Sequence, residues 1–158
     1  MVEKGTTLLI VEDNHDLRNG LKDILSFEGY TVLGVSNGRE ALEQMMTVTP
    51  DLIISDIAMP EMDGYEFFEA VRTLPIGITI PFIFLTARGE REDIMKGKNM
   101  GAEDYLVKPV TRSELINAVQ ARLTRFRQLQ MAQMEAAYQY ALTALANGIE
   151  VRDHYTRG

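Results

Sequence analysis

The sequence predicts an α/β domain, built on a doubly wound, five-stranded parallel sheet, that is followed by one long helix. First, five short apolar runs alternate with segments whose apolar residues recur at helical spacing. Second, these units fill roughly the first 120 residues, a common size for a single domain. Third, no Pro or Gly interrupts the helical pattern between Arg112 and Gly148. Alternating strands and helices imply right-handed crossovers, which place helices on both faces of a parallel sheet.

The five apolar runs are the predicted strands. The central run, which begins at Leu52, is bounded by turn residues, a pattern typical of a buried strand in a parallel sheet. It ends in Asp56, and such sheets bind ligands beyond the carboxyl ends of their strands. The other predicted strands are Thr6–Val11, Tyr30–Val35, Phe82–Leu85 and Tyr105–Val107.

Four segments between the strands have the apolar spacing of helices. Asn14, a residue type that caps helices, precedes the first of them, and Asn37-Gly38 forms a turn before the second. The third is expected to turn two phenylalanines and a valine inward. The predicted helices are Asn14–Phe27, with Asn14 as its cap, Glu40–Met46, Gly64–Thr73 and Glu90–Met100.

The final helical pattern runs from about Arg112 to Asn147, which is ~50 Å at 1.5 Å per residue. This length exceeds the domain that the helix leaves, so its far half needs another surface to cover it. Apolar residues there recur at steps of three and four, as in a coiled coil. We therefore expect the helix to pair with its copy in a homodimer. The residues of this seam are Met131, Met134, Tyr138, Ala141 and Leu145.

The composition excludes several classes of protein. The chain has 158 residues, no cysteine and a net charge of −7, so it has neither a disulfide framework nor a thiolate metal site. Residues 1–110 carry 10 Lys and Arg against 19 Asp and Glu, whereas residues 111–158 carry six against four. An acidic domain repels phosphate backbones, so no direct nucleic-acid partner is expected. Without a signal-peptide pattern or an apolar run of ~20 residues, we expect a cytoplasmic protein with no membrane partner.

Chemically useful residues end four of the predicted strands. Glu12 and Asp13 follow the first, Asp56 ends the central one, and Thr86 and Lys108 follow the last two. A single aspartate at a strand end is often only a cap or turn residue, so the prediction depends on the whole set. Clustered carboxylates suit Mg²⁺, and a carboxylate can also act as a nucleophile that forms an aspartyl phosphate. The lysine and the threonine would then neutralise and bind phosphoryl oxygens.

Four motifs around these strand ends carry a family resemblance. They are Val11-Glu12-Asp13-Asn14, Asp56 with Met59-Pro60 and Asp63-Gly64, Leu85-Thr86-Ala87, and the segment Gly101–Pro109. Together they resemble the receiver domain of two-component response regulators, which has a flavodoxin-like fold, over residues 6 to about 124. The resemblance implies a partner sensor histidine kinase or phosphotransfer protein.

The resemblance also implies a role for each site residue. Asp56 would be the phosphoacceptor, and the cofactor Mg²⁺ would be held by Glu12, Asp13, Asp56 and the Ala58 backbone carbonyl. Thr86, the Ala87 amide and Lys108 would bind the phosphoryl group, with Lys108 and Thr86 assisting its transfer. Thr86 and Tyr105 would form the switch: the hydroxyl moves toward the phosphate and the ring turns inward. The Lys108–Pro109 peptide bond would be cis.

Three alternatives compete with this interpretation. An α/β phosphatase usually has a second aspartate two positions after the nucleophile, where this chain has Ala58. A flavin-binding domain needs a phosphate-cradling loop after the first strand, where Glu12 and Asp13 would repel the ligand. A dimerising adaptor without phosphorylation would not need the complete acidic set with Thr86 and Lys108.

The tail carries a second, shorter resemblance. Residues 141–158 resemble the beginning of an HD-GYP domain, a family that hydrolyses cyclic di-GMP, although His154 stands where that family has Pro. The hydrolytic metal ligands of that family are absent from this sequence, so we expect no turnover enzyme in this chain. The alternative is the regulatory fragment of a cyclic di-GMP phosphodiesterase. The predicted organisation is a receiver at 1–124, a signalling and dimerisation helix at 125–147, and the start of an output domain at 148–158.

Overall fold

The computed structural model describes residues 5–87 and 104–156, with side chains described as far as Ile149. Five parallel strands form one sheet in the order β2-β1-β3-β4-β5. This confirms the predicted doubly wound sheet, while the helix predicted over Glu90–Met100 lies outside the described residues. The elements are β1 Thr7–Val11, α1 His15–Phe27, β2 Thr31–Val35, α2 Gly38–Met45, β3 Leu52–Asp56, α3 Gly64–Thr73, a 3-10 turn Pro75–Gly77, β4 Phe82–Thr86, β5 Asp104–Val107 and α4 Arg112–Thr156.

The sheet divides the core into two layers, because successive side chains of a strand point to opposite faces. In β1, Leu8 and Ile10 belong to the layer shared with α1 and the first turns of α4. Leu9 and Val11 belong to the other layer, where they meet α2 and α3. All four side chains are at most 1% exposed, as expected for a strand that is covered on both faces.

Asparagine and aspartate caps begin the first three helices. Asn14, Asn37 and Asp63 each accept a hydrogen bond from the backbone N–H three residues further on, at 2.8 to 3.0 Å. The cap at Asn14 confirms the prediction. The turn predicted at Asn37 is itself a cap, so α2 begins at Gly38 rather than at Glu40.

Arg72 fixes the connection from α3 into β4. One guanidinium nitrogen donates to the carbonyl oxygens of Gly77 and Ile80, at 2.6 and 2.8 Å, and the guanidinium carbon lies 4.7 Å from the centre of the Phe68 ring. These bonds satisfy two carbonyls that the turn leaves without a strand partner. The start of β4 is thereby held in place at the end of the strand opposite to Thr86.

The long helix α4 continues through Gly148, so the prediction that it ends near Asn147 was wrong. A single glycine inside a helix costs only about 1 kcal/mol relative to alanine and does not stop the helix by itself. The chain divides into two compact units, Met1–Leu123 and Thr124–Gly158. Within the first unit, Leu115, Val119 and Leu123 of α4 are buried.

The second unit presents exposed apolar side chains at the end of the described sequence. Among the described residues, no helix has the length and apolar content that crossing a membrane requires. The exposed large apolar residues of this unit are Leu129, Met131, Met134, Tyr138, Tyr140, Leu142, Leu145 and Ile149.

Candidate functional site

The carboxyl ends of four strands meet at one edge of the sheet. Val11 pairs with Ser55, Asp56 with Leu85, and Thr86 with Val107, so the residues that follow these positions are neighbours in space. The sheet order changes direction between β1 and β3, and this switch point is where open α/β sheets bind their ligands. Topology therefore brings together residues that lie up to 96 positions apart in the sequence.

Three carboxylates converge at this edge. One ligand oxygen from each of Glu12, Asp13 and Asp56 lies within 4.8 Å of the other two. Glu12 is 1% exposed and Asp56 is 5% exposed, whereas Asp13 is open to solvent. Oxygen ligands of this kind, with one solvent-facing member, fit a hard divalent cation that keeps several waters. The predicted convergence of the three carboxylates is confirmed.

Lys108 lies between two of these carboxylates. Its Nζ is 3.1 Å from Oδ2 of Asp56 and 3.2 Å from Oε2 of Glu12. The Lys108 backbone N–H donates to the Thr86 carbonyl at 2.8 Å, which ties the lysine to the end of β4. The Lys108–Pro109 peptide bond is cis, as predicted.

Burial and mutual repulsion perturb the ionisation of this cluster. Burial of Glu12, together with the Asp56 carboxylate, raises the pKa of Glu12 to about 7, although Lys108 partly offsets the rise. Burial by itself lowers the pKa of Lys108, but the two carboxylates outweigh it and leave that pKa above its usual value. The lysine is therefore a permanent cation near neutral pH, facing an acidic group that is only partly ionised.

Both carboxylate oxygens of Asp56 are held. Oδ1 accepts the backbone N–H of Ile57 at 2.8 Å, while Oδ2 faces the lysine at 3.1 Å. The loop after Asp56 closes where Gly64 N–H donates to the Ile57 carbonyl at 2.7 Å. A Cβ on Gly64 would clash with the Asp56 carbonyl oxygen and lie 2.8 Å from Ile57 Cα. Only glycine fits there, so the packing of Gly64 positions the aspartate.

Thr86 and Tyr105 occupy the adjoining strands β4 and β5. Thr86 is 1% exposed, and its hydroxyl donates to the Ala87 carbonyl at 3.3 Å. The Tyr105 ring packs on Phe84, with the ring centres 5.6 Å apart, and its hydroxyl oxygen is buried. The ring is thus directed into the core layer that also contains Phe84.

The remaining predicted positions, Ala58 and Ala87, are exposed at the ends of β3 and β4. One contributing residue was missed. Arg18 of α1 donates from its guanidinium to the Glu12 carbonyl at 2.8 Å and thereby holds the backbone of the acidic pair. No local sequence signal indicates this bond, because an arginine on a helix is ordinarily a surface residue.

The fold and this edge define a class: doubly wound α/β domains with an acidic site and a lysine at the topological switch point. The chain belongs to the response regulator receiver domain family, whose model matches residues 8–120. It is a receiver domain of a two-component response regulator.

Curated relatives agree with this assignment. The chain is 37% identical to the response regulator MprA of Mycobacterium ulcerans over 136 residues, covering 86% of this chain and 56% of MprA. It is 45% identical over 113 residues to an uncharacterized 14.6 kDa protein from the sodA1 3' region of Leptolyngbya boryana, covering 72% and 86% of the two chains. The chain thus spans about half the length of curated response regulators such as MprA.

Solved structures show the same fold. The signal receiver domain of a histidine kinase from Syntrophus aciditrophicus superposes with a TM-score of 0.71 at 39% identity, covering 76% of this chain and 91% of that one. The receiver domain of sensor histidine kinase PA1611 from Pseudomonas aeruginosa PAO1 superposes with a TM-score of 0.70 at 32% identity, covering 76% and 98%. The latter holds a magnesium ion in its active-site cleft.

Proposed function

We propose that this chain accepts a phosphoryl group on Asp56 from a sensor histidine kinase or phosphotransfer protein. The observation that carries the proposal is the position of Asp56: buried, within 4.8 Å of two further carboxylates, and 3.1 Å from the Lys108 ammonium. A structural cap would need neither the lysine nor the other acids. Membership of the receiver family supports the same role.

The site fits Mg²⁺ by charge and by ligand type. With all four groups ionised, three carboxylates and one ammonium leave two negative charges, which a divalent cation neutralises. Glu12, Asp13, Asp56 and the Ala58 carbonyl would hold the ion, as oxygen ligands do. When bound, Mg²⁺ supplies positive charge beside the transferring phosphoryl oxygens. The magnesium in the PA1611 receiver domain supports this assignment.

The transfer itself is a displacement at phosphorus. A carboxylate oxygen of Asp56 forms the new P–O bond while the P–N bond to the donor histidine breaks, and the bonding electron pair leaves with the imidazole nitrogen. The Ile57 N–H holds Oδ1 of Asp56 and the Lys108 ammonium holds Oδ2, so the two groups together orient the carboxylate. Lys108, the Thr86 hydroxyl and the Ala87 amide would bind the phosphoryl oxygens as negative charge accumulates on them.

Thr86 and Tyr105 are the proposed switch. The Thr86 hydroxyl donates to the Ala87 carbonyl at 3.3 Å, a long bond that a bond to a phosphoryl oxygen would replace. Movement of Thr86 changes the space beside Tyr105 of β5, whose ring rests on Phe84, a residue of β4 like Thr86. The surface around β5 would then differ between the two phosphorylation states, which is how a local charge becomes a signal.

Intact mass spectrometry tests the proposal. The wild type, Asp56→Asn and the control Asp23→Asn are each incubated with Mg²⁺ and acetyl phosphate. The control makes the same carboxylate-to-amide change at an exposed aspartate of α1. We expect one phosphoryl adduct on the wild type and on the control, and none on Asp56→Asn. An adduct on Asp56→Asn would place the phosphoacceptor elsewhere, and no adduct on any variant would favour the adaptor function.

We also propose that α4 pairs two copies of the chain beyond Leu123. The argument is the row of exposed apolar side chains in this unit, including Met134, Tyr138 and Leu145, which no described residue covers. Light scattering measures the mass in solution, and a monomer at high protein concentration would refute the pairing.

The output remains a proposal. The resemblance of residues 141–158 to the beginning of an HD-GYP domain stays a prediction, as do the division at 124 and 147, an output domain controlled by the receiver, and the cytoplasmic location. A cyclic di-GMP phosphodiesterase would require hydrolytic metal ligands in addition to the residues of this sequence. Hydrolysis of cyclic di-GMP by a longer natural form, and its loss on removal of the residues after Gly158, would support this output.

A further inference from the structure

A cavity of about 540 Å³ opens between α2, α3 and the turn that follows α3, away from the acidic edge. No residue of the proposed phosphoacceptor site lines it. Its volume falls within the range of small-molecule sites in proteins, and most of its lining is aliphatic or thioether. The apolar wall consists of Leu42, Met45, Met46, Met62, Leu74 and Ile76.

Three of these wall residues are methionines, and none of the lining residues is aromatic. Met45 is 4% exposed and forms the floor, whereas Met46 is 84% exposed and lies at the opening. Thioethers are polarizable and make favourable contacts with aromatic rings. A wall with three thioethers and no aromatic ring of its own is complementary to an aromatic ligand.

The charges at the cavity cancel. Arg39 and Glu43, one helical turn apart on α2, both line it. In the part of the chain that the structure describes, neither residue forms an ion pair. An ionic ligand would therefore meet one attractive and one repulsive group, and it would lose hydration on entering the apolar space. The electrostatics favour a neutral ligand.

The side of the wall that Met62 forms is preformed. Met62 is pressed against the start of α2, where a Cβ on Gly38 would lie 2.8 Å from Met62 Sδ and 3.1 Å from the Phe67 Cβ. Met62 N–H also donates to the Pro60 carbonyl at 2.8 Å, which fixes its backbone. A preformed apolar site binds with less ordering cost than one that must assemble.

From this lining we propose that the cavity between α2 and α3 is a binding site for a small, uncharged aromatic molecule. The site is independent of the phosphoacceptor chemistry. An uncharged two-ring probe, 2-naphthol, tests it. By the binding strength typical of ligands of this size, we expect a dissociation constant of about 1 mM or tighter.

The nine methionines of the chain provide the readout. Methyl groups of methionine are labelled with ¹³C, assigned by single Met→Leu variants, and followed by NMR during the titration. We expect saturable shifts at Met45, Met46 and Met62, and none at Met131 and Met134, which are exposed on α4. Equal shifts at all five methyl groups would mean nonspecific contact and would overturn the proposal.

Three analogues of the probe test the ligand class. The anion 2-naphthoate, the cation 2-naphthylmethylammonium and the saturated decahydro-2-naphthol have similar size. Each is expected to bind more weakly than 2-naphthol. Tighter binding of either ion would show that the charges of Arg39 and Glu43 do not cancel. Equal binding of the saturated alcohol would show that the thioethers do not select an aromatic ligand.

Variants test the residues. Met62→Leu keeps volume and apolarity but removes one sulfur, so 2-naphthol should bind about two- to ten-fold more weakly, while the matched change Met134→Leu should have no effect. Ala70→Leu, at a partly exposed lining position of α3, should fill the cavity and abolish binding. An amide spectrum checks that each variant is folded. Unchanged affinity in a folded Ala70→Leu would overturn the site.

Discussion

Replacing Asp13 with asparagine should stabilise the metal-free protein. A ligand oxygen of Asp13 lies within 4.8 Å of those of Glu12 and Asp56. At that separation each like-charge pair costs about 3.5 kcal/mol at an effective dielectric constant of 20, and about 0.9 kcal/mol in water. Asp13 is exposed, so the lower figure governs, and two pairs give about 1–2 kcal/mol. We expect the free energy of unfolding to rise by about 1 kcal/mol in Asp13→Asn.

In excess Mg²⁺ the wild type should instead be more stable than Asp13→Asn, because the same carboxylate is a proposed metal ligand. With free Mg²⁺ at 100 times its dissociation constant, the wild type gains about 2.7 kcal/mol, and the variant gains less because it binds the ion more weakly. The assay is urea unfolding followed by circular dichroism at pH 8, in EDTA and in excess Mg²⁺. That pH keeps Glu12 ionised, since its pKa is raised to about 7 by burial and by Asp56.

Asp23→Asn is the matched control, since it removes one exposed carboxylate of α1 away from the site. It should change neither the stability in EDTA nor the gain from Mg²⁺. If Asp13→Asn is less stable than the wild type in EDTA, repulsion does not dominate the cluster. If both proteins gain equally from Mg²⁺, Asp13 is not a ligand.

Four further predictions concern other parts of the chain. Lys108→Ala should slow formation of the acyl phosphate by about 100-fold, because a cation facing the reacting carboxylate is lost. Calorimetry should still detect Mg²⁺ binding to this variant. Abolished metal binding with normal phosphorylation would contradict the role of the lysine. Gly64→Ala should lower the free energy of unfolding by about 1–3 kcal/mol in urea, since the added methyl meets the backbone at the end of β3; an unchanged midpoint would show that the loop relaxes freely. Arg72→Met should cost about 2 kcal/mol in thermal unfolding, because two backbone carbonyls lose a charged donor, and a neutral result would make those bonds dispensable. Leu145→Asp should halve the mass measured by light scattering, because an exposed apolar contact is replaced by a charge; an unchanged dimer would place the interface elsewhere.

Local patterns in the sequence were sufficient to predict most of the sheet and its helices. Each predicted strand is a short run rich in apolar residues, and the cap at Asn14 marks a helix start directly. The bounds of α3 were predicted residue by residue, because Gly64 and Thr73 delimit a clear apolar face. The prediction failed at Gly148, where a weak breaker was taken for a stop in a helix otherwise rich in helix formers.

The meeting of Glu12, Asp13, Asp56, Thr86 and Lys108 at one edge was also predictable, because each of them ends a strand or lies just after one. A parallel sheet brings its carboxyl ends to one edge, so position along the chain implied proximity in space. The distances between the side chains of the site could not be predicted in this way. That Lys108 bridges Glu12 and Asp56, rather than only one of them, depends on side-chain packing.

The sequence by itself determined the alternation of strands and helices, the acidic edge and the family, because these depend on short-range periodicity and on residues at strand ends. The tertiary structure alone decided which groups touch. It placed Gly64 against the Asp56 backbone, Arg18 on the Glu12 carbonyl, and three methionines around one cavity. Each of these contacts joins elements whose separation in space follows from the packing of whole helices on the sheet, and no local pattern encodes that distance.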